Sequence, residues 1–436
     1  MVVSDKRYIA LVPFGIFLAI FILLHILYSS ATIGQDNFPI LAALVAIIAS
    51  FFTFQKNESL NDRIAIFMEG SSQTIVMHMC YIFYLSTVFT AILEHMGGIK
   101  AAVNLSLMLI PSWCIIPGMF MVTSLFSITV GTSMGAIAAF MPIAVNIATH
   151  CSLHPSLMAA TIVCGAMFGD NLSILSDTTI ASVAITKSSM KDKLFLNTKI
   201  AIPAFIISFI ILLYQNYFIT DFMQIIPAKS IGYLDIIKVI PYLATFYIAL
   251  IGFDILIVLI AGIILAIGIG ISLHTLTFLE AINLIFDGFY SSKGMVNVFM
   301  LVLLLSGLSK IISHNGGIDY LIDQLEHKIP NALCAKLAIF LLITLINMTI
   351  AINTVAILIT GPIANKMGND YKIPAAQTAC ILDIGSCFTQ GILPYAPQLL
   401  LAASIAQVST ISLLPYLYYQ YFLVISLLVV MVYKKK

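Results

Sequence analysis

Between Lys100 and Lys187 the chain carries only two charged residues, Asp170 and Asp177. The rest of that stretch is apolar or weakly polar, in runs near 20 residues that fit helices crossing a hydrocarbon core roughly 30 Å thick. In such a solvent every backbone N–H and C=O must be paired inside the protein, which leaves helices or a closed barrel. Strand-like alternation is absent, which argues against the barrel. The whole chain is 61% hydrophobic and 9% charged, whereas a soluble domain carries about 25% charge. The same reading therefore extends from end to end, and the fold class is an all-α polytopic membrane protein with lipid as its surroundings.

The first apolar segment, Tyr8 to Tyr28, is too long for a typical signal-peptide core and has no small-residue cleavage site behind it. It reads as a retained span. Net charge is +1, and the one basic block is Lys434-Lys435-Lys436, so nucleic acid is not an expected partner. Seven cysteines lie mostly within apolar runs without CxxC spacing and read as packing residues rather than a disulfide framework.

The chain repeats itself at an offset of 218 to 220 residues. Asp36 matches Asp254, Glu69-Gly70 matches Asp287-Gly288, and Gly97-Gly98-Ile99 matches Gly316-Gly317-Ile318. Pro142-Ile-Ala matches Pro362-Ile-Ala, and Phe168 matches Phe388. The order and steady offset predict a duplication, with a first transmembrane repeat over 1–217 and a second over 218–436. Charge sets their orientation. With a cytoplasmic N-terminus and an odd number of crossings per repeat, the basic residues outside are Lys100, Lys229, Lys238 and Lys293. The other 16 of the 20, from Lys6 and Arg7 through Lys56, Arg63, Lys187, Lys191, Lys193 and Lys328 to Lys434–Lys436, fall inside. An even count would place the second half's basic loops outside. The positive-inside bias thus selects inverted-topology repeats with both termini cytoplasmic, an architecture common among secondary transporters.

Two long segments carry interruptions at corresponding places. Segment 156–186 is expected to break at Gly169-Asp170-Asn171, and segment 375–410 around Gly391 to Pro397, where prolines block the preceding helix. Broken or re-entrant helices in matching positions of two repeats point to a binding site. Segments 58–70 and 275–289 are amphipathic and are expected to lie along the interface.

Intramembrane carboxylates are costly and usually functional. Asp177 stands in Ser176-Asp-Thr-Thr179, and Asp170 precedes Asn171 and Ser173. Carboxylate, hydroxyl and carbonyl oxygens are hard ligands that suit Na⁺, Li⁺ or H⁺. Burial favours the neutral form of a carboxyl, so one site can hold either a proton or a sodium ion. The expected cation and proton ligands are Asp170, Asp177, Ser173, Ser176, Thr178 and Thr179, with Asp170 and Asp177 holding Na⁺ as cargo. Asp383, the lone intramembrane acid of the second half, joins them. Thr132, Ser133 and Asn171, with Asn353, Thr354 and Gln398 in the second half, are expected to support the site or touch a substrate. His78 reads as a packing histidine, with a proton relay as the alternative.

The runs Gly131-Thr-Ser-Met-Gly135, Pro142-Ile-Ala, Gly165-Ala-Met-Phe-Gly-Asp-Asn-Leu-Ser173 and Ser176-Asp-Thr-Thr179 resemble the NhaC-type sodium/proton antiporter family. Members commonly carry proline where this chain has Ile174. The resemblance implies an inverted-repeat bundle in a bacterial inner membrane, exchanging Na⁺ or Li⁺ for H⁺ by alternating access, without a cofactor. A homodimer is compatible with this reading. Relatives in the superfamily carry carboxylates, so the alternative is a Na⁺- or H⁺-coupled transporter of a small carboxylate or amino acid. The chain's two arginines, Arg7 and Arg63, lie outside the apolar segments, so such a substrate would rest on helix N-termini and on residues 132–133 and 353–354. Enzymatic function is not expected. An intramembrane aspartyl protease needs two aspartates on separate helices, whereas Asp177 follows Asp170 by seven residues and Met167-Phe168-Gly169-Asp170 lacks the first glycine of the Gly-x-Gly-Asp pattern.

Overall fold

The computed structural model describes residues 6–27, 37–53, 58–109, 111–219, 232–291, 293–326 and 329–432. Asp36, Lys56, Lys229, Lys328 and Lys434–Lys436, used above, lie outside these. Among the described residues all regular structure is helical. Eight helices are long and apolar enough to cross a membrane.

The first half runs through α1 (Val12–Leu27), α2 (Phe38–Ser50), a short α3 (Leu60–Ser71), α4 (Thr74–His95) and α5 (Gly98–Leu109). It continues with α6 (Ile115–Val130), α7 (Ser133–His150), α8 (Pro155–Leu172), α9 (Asp177–Thr186) and α10 (Met190–Ile219). The second half repeats the order: α11 (Tyr233–Leu250), α12 (Ile255–Ser272), α13 (Phe278–Ser291), α14 (Lys293–His314), α15 (Gly317–Glu326), α16 (Ala332–Ile350), α17 (Asn353–Asp370), α18 (Ala375–Ile392) and α19 (Pro397–Ala406). A single turn, α20 (Thr410–Leu413), precedes α21 (Tyr418–Val432). The amphipathic segments form α3 and α13 as expected. Ser59 and Asp62 cap the start of α3 reciprocally, which supplies two of its free N–H groups with partners.

Two kinds of interruption shape the interior. Residues 131–132 join α6 to α7, and residues 351–352 join α16 to α17; in both pairs the second helix packs back against the first. By contrast α9 runs on from α8 within one 32-residue span. The doubling back needs a left-handed residue at each tip. Gly131 supplies it at φ +76° without a side-chain penalty, and a Cβ there would lie 2.7 Å from the Leu175 side chain. Ala351 takes the same conformation at φ +57°, at a cost of roughly 1–3 kcal/mol for a residue with a Cβ.

The break in the first long segment lies later than the sequence predicts. Helix α8 continues through Gly169, Asp170 and Asn171 to Leu172, and the chain is extended at Ser173 and Ser176. Gly169 serves packing instead. A Cβ there would meet Ser127 at 2.4 Å, and Gly165 one turn earlier faces the Phe120 carbonyl, so α6 and α8 approach through small residues as membrane helices often do. In the second half the break falls where the prolines place it. Leu393 is extended before Pro394, and Pro397 opens α19 at a position where its missing N–H costs nothing.

Candidate functional site

The tip of α6–α7, the tip of α16–α17 and the starts of α9 and α19 meet at one cavity of about 310 Å³. Four helices, α7, α9, α17 and α19, therefore present their N-terminal ends to it, and in none does the N-cap residue's own side chain cap the end, though Gln390 takes the first N–H of α17 and α19 opens on Pro397. Uncapped first turns carry free N–H groups and partial positive charge. Asp170 and Asp177 supply the opposing negative charge in the same wall.

Asp170 projects from the last turn of α8 and is 6% exposed. Ser133 Oγ donates to its Oδ2 at 3.0 Å, and Gln398 Nε2 donates to Ser133 Oγ at 3.3 Å. Residues of both halves thus converge on this carboxylate. The Gln398 carbonyl oxygen is buried without a partner, a hard acceptor left over at the cavity. Asp177 opens α9 and is exposed within the cavity. Beside it the hydroxyls of Ser176 and Thr178 lie 2.9 Å apart. Asn353 is fixed from its own half, its N–H donating to Gln390 Oε1 at 3.0 Å. Thr132 and Thr354 complete the predicted lining.

Two further groups stand here that the sequence reading left out of the site. Asp254 accepts from Leu256 N at the start of α12, and His78 Nε2 lies 3.4 Å from Asp254 Oδ1; both line the cavity. His78 is therefore a wall residue of the site rather than a packing residue. Among the described residues no three His, Cys, Asp or Glu side chains come close enough to hold a metal ion together. A cation bound here would combine a carboxylate with hydroxyl, amide and carbonyl oxygens, the donor set suited to a weakly held alkali ion.

Asp383, Thr179 and Asn171 lie elsewhere. Asp383 is fully buried in α18, and Lys193 Nζ, also fully buried, donates to its Oδ2 at 2.5 Å. The same ammonium donates to Thr179 Oγ1 at 2.6 Å. Asn197 Nδ2 adds bonds to Asp383 Oδ2 at 2.7 Å and to the Asn171 carbonyl at 2.8 Å. Asn171 Nδ2 donates to the Tyr419 hydroxyl. This pair ties the start of α10 to the last turn of α8, to α9 and to α18. Lys193, counted from sequence among the cytoplasmic-side cations, is buried at the start of α10, and Asp383, expected as a cation ligand, has a resident ammonium on it. Cys387 stands between the two groups, 3.8 Å from Asp383 Oδ1 and 3.9 Å from Thr178 Oγ1. Ser173 serves the break itself, its hydroxyl accepting from Leu175 N at 3.2 Å.

The sequence signal for Lys193 was Asp383 itself, because a buried carboxylate among apolar neighbours requires a counter-charge. Asn197 and Gln390 gave no such signal, since helix-borne amides in membrane proteins commonly bond neighbouring helices.

Helices that turn back or break around a polar interior cavity define a multi-pass membrane transporter. The chain belongs to the Na⁺/H⁺ antiporter family, whose model matches residues 7–217 and again 214–434. Among curated proteins it is 23% identical over 340 residues to the malate-2H⁺/Na⁺-lactate antiporter of Bacillus subtilis, covering 72% of each chain. It is 26% identical over 182 residues to the Na⁺/H⁺ antiporter NhaC of Alkalihalophilus pseudofirmus, covering 41% of this chain and 38% of that one. Among solved structures it aligns with Neisseria gonorrhoeae MtrF at 14% identity and a TM-score of 0.40, covering 96% and 94% of the two chains.

Proposed function

We propose that this protein exchanges Na⁺ or Li⁺ for H⁺ across a bacterial inner membrane by alternating access. In this reading both termini are cytoplasmic and the halves 1–217 and 218–436 are inverted repeats. One observation carries the assignment: Asp170 and Asp177 face a single polar cavity among oxygen donors, with no lysine or arginine among the described residues of its wall. A carboxylate so placed is neutral when it holds a proton and paired when it holds a sodium ion, so the two cargoes compete for the same oxygens. Asp177 meets the incoming ion, and Asp170, oriented by Ser133 and Gln398, completes its ligands. Asp383 is the fixed counter-ion of Lys193 and holds the two breaks together. Exchange of radiolabelled sodium in proteoliposomes tests this directly. Uptake driven by an outward proton gradient is expected, and it should vanish when Asp170→Asn or Asp177→Asn replaces the native chain.

A second reading, a cation-coupled carrier of a small carboxylate, is favoured by the four uncapped helix N-termini around the same cavity. Such ends bind anions, and the similar Bacillus subtilis protein is named for malate and lactate. A carboxylate would sit on the first turns of α7 and α17 while Asp170 and Asp177 hold the coupling ion. Sodium flux that requires an added carboxylate would select this reading over simple exchange.

A further inference from the structure

A second polar crevice, of about 330 Å³, lies among α4, α13 and the end of α19. Glu94 and Asp287 line it, and the side chain of neither forms an ion pair or hydrogen bond among the described residues. Two buried hydroxyls also face it: Ser86 Oγ, on a residue 1% exposed, and Ser404 Oγ, on one 8% exposed, both without a hydrogen-bond partner. A buried unpartnered hydroxyl is costly unless something visits it.

The matching place in the other half shows what is unusual. At the offset of the repeat, Asp287-Gly288 corresponds to Glu69-Gly70, and α13 packs on α4 as α3 packs on α14. There the acid is neutralised, with Lys310 Nζ 2.6 Å from Glu69 Oε1. On the α13 side the residue facing Gly288 is Ala91. One half thus carries a compensated acid and the other an open, uncompensated one.

The crevice and the central cavity sit toward opposite ends of the same two helices. On α4, His78 lines the cavity and Ser86, Thr90 and Glu94 line the crevice; on α19, Gln398 lines the first and Ser404 the second. At about 1.5 Å per helical residue, His78 to Ser86 spans roughly 12 Å and Gln398 to Ser404 roughly 9 Å. Ile82 of α4 lines the cavity where it ends toward the crevice, and beyond it Phe83 of α4 and Leu399 to Leu401 of α19 are buried. The cavity's own mouth lies at Asp177 and Asp254, both exposed.

We propose that this crevice is the second access vestibule of the transporter. It gathers monovalent cations at Glu94 and Asp287 on the membrane face opposite the Asp254 mouth, and passes them between α4 and α19, which α7 and α14 bridge, once the apolar side chains Ile82, Phe83 and Leu400 part. The proposal rests on the alternating-access reading, and its first test does not depend on which ion is carried. Ser404→Cys, Glu94→Cys and Asp254→Cys proteins are treated with a membrane-impermeant cationic methanethiosulfonate, in right-side-out and in inverted vesicles, and labelling is measured above that of the parent chain. Ser404→Cys and Glu94→Cys should label from one face and Asp254→Cys from the other. Labelling of all three from one face, or of Glu94→Cys without Ser404→Cys in folded protein, would overturn the vestibule. The second test is kinetic. Glu94→Gln with Asp287→Asn should raise the KM for sodium supplied on the crevice side about tenfold, since an acidic cleft concentrates cations by at least that order, with a much smaller change in maximal rate. An unchanged KM would overturn the cation-gathering role even if the labelling holds.

Discussion

The two interrupted spans occupy matching places in the two halves, yet they treat their acids in opposite ways. Asp170, in the first, is held by a serine hydroxyl and reaches a cavity it shares with the exposed Asp177. Asp383, in the second, is sealed from solvent and bound by Lys193 and Asn197. A carboxylate with an open coordination sphere can exchange its partner. One whose partner is a tethered ammonium cannot lose it without leaving a buried charge alone, which costs several kcal/mol. The two halves thus hold their acids differently: one faces an open cavity, and the other fastens the helices around it.

The comparison is broken most severely by removing the free acids. Asp177→Asn protein, inserted and folded, is expected to lose sodium-dependent proton movement entirely, and Asp170→Asn nearly as completely; flux in proteoliposomes measures both. Next comes the sealed pair. Lys193→Met should destabilise the protein by about 3–5 kcal/mol, because it strands Asp383. The double variant Lys193→Met with Asp383→Leu should recover most of that loss and retain exchange; thermal unfolding in detergent and flux in liposomes read the two effects. If the double variant is stable yet inert, Asp383 is itself a cargo ligand. A smaller effect is expected at Gln398. Its replacement by alanine removes one hydrogen bond behind Asp170, worth about 1 kcal/mol, and should raise the KM for sodium about fivefold. Least of all, Lys100→Gln at an exposed position should leave stability within ~0.5 kcal/mol and transport unchanged.

Much of this was legible in the residues. Charge scarcity singles out Asp170 and Asp177, and residues 132–133, 353–354 and Gln398 are expected from the sequence to support a site or touch a substrate. The doubling back of α6–α7 and α16–α17 was not legible as such. An apolar helix has the same composition whether it crosses the membrane or returns, and Ala351 gives no hint of a left-handed turn. The shift of the first break from Gly169 to Ser173 has a similar cause, since a glycine in a membrane helix marks close packing as readily as a bend. The burial of Lys193 against Asp383 was not legible, because Lys187 and Lys191 beside it look like a charged loop and only the third dimension brings it under α18.

The central claim is that the cavity carboxylates exchange a sodium ion for protons. A pH-sensitive dye enclosed in liposomes with the purified protein measures it most directly, with Na⁺, Li⁺ or K⁺ pulsed against an imposed proton gradient. Proton movement is expected with Na⁺ and Li⁺, none with K⁺, and none with Asp177→Asn. Proton movement that persists in Asp177→Asn, or folded native protein that moves no protons with any of these cations, would contradict it.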